Sequence, residues 1–139
     1  MSASDLALTH VTVLVGDQAE ALTFYTEVIG LDVRIDFPFP GGRWLSVGPA
    51  AQPTMELVLE VPEMHPEADA QRAMRARVDA GELSLTMIFA VADCDATFAR
   101  LTAAGAKPGQ EPMDQPYGVR DCSVSDPWGN QLHFSQPLG

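Results

Sequence analysis

An α+β fold is what this sequence predicts: two tandem βαβββ modules forming a curved mixed sheet around a pocket. Three observations predict it. Short β-branched segments alternate in polarity, as half-buried strands do. Each half opens a helix on an aspartate and closes it on a glycine. The two halves also align at a constant offset of 76 residues, so that Val15 and Asp17 fall on Val91 and Asp93, and Leu22 and Tyr25 on Phe98 and Leu101. A repeated supersecondary unit implies that neither half buries its sheet face well alone, and two packed units offer a concave face for a ligand.

The elements follow in order. Leu8 to Val15 alternates as a strand, with His10, Thr12 and Leu14 on one face. Asp17 and Glu20 form a capping-box-like start, Ala21, Leu22, Tyr25, Val28 and Ile29 supply the apolar stripe, and Gly30 ends the helix. Leu31–Phe37, Arg43–Val47 and Met55–Val61 make three further strands, with a turn at Pro38, Pro40, Gly41 and Gly42. The charged, Ala-rich stretch from Pro62 to Glu82 reads as a surface helix joining the halves. Leu83–Val91 is a strand, and a helix runs from Asp93 to Gly105. Pro108, Pro112 and Pro116 restrict any strand there to an irregular or edge position. Arg120–Ser125 and Gln131–Ser135 are strands joined by a turn at 126–130. The organisation is a single domain over 1–139, with module one at 6–61, a connector helix at 62–82 and module two at 83–137.

The formal charge of −11 disfavours nucleic acid and anionic membrane surfaces as partners. No apolar run approaches the roughly 20 residues that span a bilayer. Met1 to Leu8 lacks the basic region and long apolar stretch of a leader, so a cytoplasmic location is the expectation. Cys94 and Cys122 are too few for a disulfide scaffold. Cys94 sits near a helix start, where a thiolate is favoured, but a small buried thiol is the better reading of both. His65, in the Pro62–Pro66 connector, reads as a surface residue.

The segments H-V-T-V-L-V-x-D (His10 to Asp17), F-Y-T-E-V-I-G-L (Phe24 to Leu31) and D-P-W-G-N-Q-L (Asp126 to Leu132) resemble the first strand, first helix and last hairpin of the vicinal-oxygen-chelate superfamily. That superfamily contains glyoxalases, extradiol dioxygenases and bleomycin-resistance proteins. The resemblance covers nearly the whole chain and implies the duplicated fold. Because this fold carries many activities, it implies no single one. In metal-dependent relatives the first and last strand of each module supply a ligand, which by position points to His10, Glu56, Thr86 and His133. His10, Glu56 and His133 would make a two-histidine, one-carboxylate set for Fe, Mn, Ni or Zn, with Thr86 a poor fourth ligand. Glu56 is also a candidate catalytic carboxylate. The resemblance further implies a homodimer.

Flat apolar ligands are held by aromatic side chains. Phe37, Phe39, Trp44, Tyr117 and Trp128, with Met87, Arg120 and Asp121, are the candidate pocket residues. Two functions follow. One is a sequestering, resistance-type protein that binds a small aromatic or dicarbonyl-like molecule beside a degenerate metal site. The other is a divalent-metal-dependent lyase or dioxygenase of the glyoxalase or extradiol type using His10, Glu56 and His133.

Overall fold

In the computed structural model, which describes residues 3–139, the first strand β1 (His10–Leu14) buries Val13 and leaves His10 and Thr12 exposed. Met1 and Ser2, part of the segment read as lacking a leader, lie outside the described residues. The chain divides after Arg72 into two compact units.

In the first unit, Asp17 is extended and its carboxylate accepts from the Glu20 N–H at 2.8 Å, which starts helix α1 (Gln18–Thr23). The helix expected to run regularly to Gly30 instead widens into a π-helical turn over Phe24–Val28, where the Ile29 N–H reaches Phe24 O, five residues back, at 3.0 Å. The wide turn accompanies burial of two adjacent aromatic residues: Phe24 and Tyr25 both face the core, with ring centroids 5.0 Å apart and edge to face. Strands β2 (Asp32–Phe39), β3 (Gly42–Gly48) and β4 (Glu56–Glu60) complete a sheet of order β1-β4-β3-β2. β1 and β4 run parallel, and the other neighbours are antiparallel. β2 continues two residues past the expected Phe37. It lies at the sheet edge, where Pro38 needs no inward N–H. Leu45, Val47, Leu57 and Leu59 face α1 and form the core. The buried Gln18 amide staples the helix start to the sheet, donating to Arg43 O at 2.7 Å and Leu59 O at 2.9 Å.

A short 3-10 turn (Pro62–Met64) leads to helix α2 (Ala68–Asp79), which buries Val78 and is otherwise largely solvated, as expected of a surface helix. His65 is exposed.

The second unit repeats the plan. β5 (Thr86–Ala90) is followed by α3 (Cys94–Ala103), capped by Asp93, which accepts from the Ala96 N–H at 3.0 Å. The proline-rich stretch yields only β6 (Lys107–Pro108) and β7 (Met113–Asp114), both paired to β8 (Val119–Ser125). β9 (Gln131–Pro137) lies between β8 and β5. Leu101, Cys122, Val124, Leu132 and Phe134 form this core, where Phe89 stacks on Phe134 at 5.5 Å. Among the described residues no helix is long and apolar enough to cross a membrane.

The registers of the two units correspond. His10 pairs with Glu56 in the first, and Thr86 pairs with Gln131 in the second. The counterpart of Glu56 is therefore Gln131. His133 lies two residues further along, opposite Ile88 and Ser123, where the first unit has Val58 opposite Thr12 and Ser46.

Candidate functional site

Strand alternation sets the chemistry of each sheet. In the first unit the core-forming positions alternate with His10, Thr12, Glu56, Val58, Trp44 and Ser46, which share the face away from α1. His10 Nε2 lies 2.9 Å from Glu56 Oε2, and the other oxygen, Oε1, accepts from the buried Ser46 hydroxyl at 2.5 Å. The His10 Nδ1 is 2.8 Å from Thr9 Oγ1. An ionised carboxylate only accepts, so Glu56 fixes the proton on Nε2, and a neutral ring then accepts from Thr9 at Nδ1. The result is a hydrogen-bonded chain, Thr9–His10–Glu56–Ser46, with a half-exposed imidazole engaged at both ring nitrogens. Ser46 and Thr9 carry no signal in a sequence, although Ser46 shares strand parity with Trp44.

On the same sheet Phe37 pairs across from Trp44, and Phe39 lies two residues beyond Phe37 on the same side. Phe37 is 66% exposed and Trp44 39%, so this is an accessible aromatic patch and not core.

The corresponding face of the second unit is polar. Asp121, at the register position of Trp44, is buried. Its Oδ1 accepts from Gln110 Nε2 at 2.7 Å and Gln115 Nε2 at 2.9 Å, and Tyr117 OH approaches Oδ2 at 3.4 Å. Burial pushes this carboxyl up, but the hydrogen bonds from Gln115, Gln110 and Tyr117 and the nearby His133 outweigh it, so the net displacement is downward. A carboxyl lowered by folding stabilises above its unfolded pKa, and that contribution is lost as pH falls through the folded value. Wild-type protein is therefore expected to lose stability below about pH 4. Asp121→Asn should cost about 2 kcal/mol at neutral pH and flatten that acid limb. Denaturant titrations at several pH values check both, and an unchanged acid limb would count against the assignment.

The remaining candidate residues fall elsewhere. Met87 and Trp128 are buried, Met87 on the α3 side of β5 and Trp128 within the 126–130 turn. Arg120 shares strand parity with Cys122 and Val124 and is tied to Asp95 and Asp114, each at 3.0 Å. These three therefore do not join Asp121 and Tyr117 on the face away from α3. Cys94, the first residue of α3, is buried, and burial raises its thiol; burial likewise pushes Cys122 up to about 12. Both are small core thiols.

Of the four positions named for a metal, the structure joins two by hydrogen bond, His10 and Glu56. Both Glu56 oxygens are already engaged, and the register counterparts of the pair, Thr86 and Gln131, offer only neutral oxygens or an amide. Among the described residues no three His, Cys, Asp or Glu side chains come together to hold an ion. Within the first unit, His10 and Glu56 are two donors, fewer than the three or more that hold a divalent metal.

A family model described as the Glyoxalase/Bleomycin resistance protein/Dioxygenase superfamily matches residues 7–134. YurT of Bacillus subtilis strain 168 is 36% identical over 126 residues, which span 90% of this chain and 94% of YurT. Among solved structures, UcmS2 has a TM-score of 0.82 at 32% identity, covering 94% of this chain and 97% of its own. TnmS3, an antibiotic binding protein from Streptomyces sp. CB03234, has a TM-score of 0.77 at 31% identity, covering 98% of this chain and 99% of its own.

Proposed function

The chain belongs to the glyoxalase, bleomycin resistance protein and dioxygenase superfamily, and from that premise we propose that it binds and sequesters a small planar aromatic molecule without a metal ion. The observation that carries this is the exposed Phe37–Trp44 pair, on the same sheet face as the Thr9–His10–Glu56–Ser46 chain. An aromatic patch beside a hydrogen-bonded polar group suits a flat ring with a polar edge, because offset or edge-to-face contact adds about 1 kcal/mol beyond area burial. The likeness to TnmS3 supports the same class of ligand handling.

A lyase or dioxygenase at this position would need a third charged or imidazole donor beside His10 and Glu56. The first unit supplies Ser46 there instead, already bonded to Glu56. A sequestering role needs no such donor.

Calorimetric titration with a planar probe such as 2-naphthol tests the proposal. Wild-type protein is expected to bind saturably, and Trp44→Ala to bind about tenfold more weakly. Equal affinity in the two proteins would remove the aromatic patch from the account.

A further inference from the structure

We propose that Glu60 sets the charge of the ligand taken by the first unit's aromatic patch, so that the preferred molecule is a planar aromatic cation such as an arylalkylammonium. This deepens the small-molecule reading above and rests on it.

Glu60 closes β4 and shares strand parity with Glu56 and Val58, on the sheet face away from α1. β3 and β4 are antiparallel, with Val47 opposite Leu57 and Ser46 opposite Val58. The same register, carried two residues further, sets Trp44 opposite Glu60. The strands are still neighbours at that point, because one nitrogen, Gln18 Nε2, donates to Arg43 O at 2.7 Å and to Leu59 O at 2.9 Å. Trp44 in turn pairs with Phe37 on β2. Glu60, Trp44 and Phe37 thus make one row across three strands, on one face. Phe39 and Met64 border it, since a Cβ on Gly42 would lie 3.4 Å from Met64 Cγ and 3.6 Å from Phe39 Cζ.

The row is apolar at one end and acidic at the other. Glu60 is half-buried, and its carboxylate makes no hydrogen bond or ion pair with any described residue. Such a carboxylate is ordinary on a protein surface. Its meaning here comes from its place beside two exposed aromatic side chains and from the charge around it. Residues 1–72 hold eleven acidic and three basic side chains, so the first unit carries −8 of the chain's −11. All three arginines are committed elsewhere: Arg43 to Asp36 at 2.7 Å, Arg34 to Pro49 O and Gln52 O, and Arg72 to Asp69.

A flat ring over Phe37 and Trp44 can direct an ammonium substituent toward β4. There the indole face and the Glu60 carboxylate both attract it. An uncharged ring gains the aromatic contact alone. An anionic ring meets like charge at Glu60 and a repulsive field on approach.

Dissociation constants of the full chain for 2-naphthylmethylammonium, 2-naphthol and 2-naphthoate at neutral pH test this. The cation is expected to bind about tenfold tighter than 2-naphthol, with 2-naphthoate the weakest. Glu60→Gln, which keeps the shape and removes the charge, should bring the cation to within about twofold of 2-naphthol and leave 2-naphthol itself unchanged. Glu27→Gln removes the same charge from an exposed position on the π-helical turn and should keep most of the preference. Equal binding of the cation and 2-naphthol by wild-type protein overturns the proposal but leaves the small-molecule reading intact. So does a cation preference that survives Glu60→Gln, one that Glu27→Gln abolishes equally well, or a Glu60→Gln protein that loses 2-naphthol as well. Failure of all three compounds to bind overturns both.

Discussion

Gly129→Ala is expected to lower the melting temperature by roughly 10 °C or more. Gly129 has φ +103°, a conformation that L side chains rarely adopt. A Cβ there would also lie 2.5 Å from Gly81 O, 2.6 Å from Leu83 O and 3.0 Å from Leu83 N. All three are backbone atoms and cannot swing aside. The turn they press on is fixed from within, since Asp126 accepts from the Trp128 and Asn130 N–H groups at 2.9 Å each and from Asn130 Nδ2 at 2.7 Å. Backbone strain and overpacking together cost about 4 kcal/mol. Gly105→Ala is the control. It has φ +99° but nothing within 4 Å, so only the strain of about 1–2 kcal/mol applies. Thermal and denaturant unfolding of both variants measures the difference, and similar losses would show that the contact with the 81–83 backbone contributes little.

Gly48→Ala should be nearly as damaging, and for a purely steric reason, because its φ is not in the left-handed region. The added Cβ would sit 2.4 Å from Met55 O and 2.8 Å from Arg34 Nε. Arg34 has little room to yield, with its guanidinium donating to Pro49 O at 2.6 Å and Gln52 O at 3.1 Å. Relief must come from the chain at Met55, the residue before Glu56. The variant is therefore expected to lose about 3 kcal/mol. It should also weaken ligand binding, as Glu56 is drawn away from His10 and Ser46. Unfolding curves and the 2-naphthol titration report the two effects. A Gly48→Ala protein of wild-type stability would show that the segment at 49–55 accommodates the methyl group.

The fold was legible because its signals are local. Asp17 and Asp93 cap their helices as expected, and the alternation of β1 and β9 reports directly which side chains enter the core. The prolines at 108, 112 and 116 correctly limit the strands before β8 to two residues each. The π-helical turn was not legible, because the 3.6-residue stripe through Tyr25 and Ile29 is compatible with both a regular helix and a widened one. Of the candidate site, His10 and Glu56 were singled out only through the family resemblance, as metal ligands, and their hydrogen bond to each other was not anticipated. Ser46, Thr9, Gln110 and Gln115 could not be anticipated either, since short polar side chains occur throughout strands and loops and gain meaning only through register. Nor does sequence position show that Met87 and Trp128 are buried or that Arg120 turns toward Asp95. The register of the last strand decides most. It sets Gln131, not His133, opposite the residue that repeats His10, and so leaves His133 with a different surrounding from Glu56.

Metal-independent binding is the central claim, and calorimetric titration of the protein with 2-naphthol before and after exhaustive chelation tests it most directly. The account predicts saturable binding of the same affinity in both samples, with no stoichiometric metal in the purified protein. Binding that disappears on chelation and returns with added Ni(II), Mn(II) or Fe(II), together with a stoichiometric ion lost on His10→Ala, would contradict it.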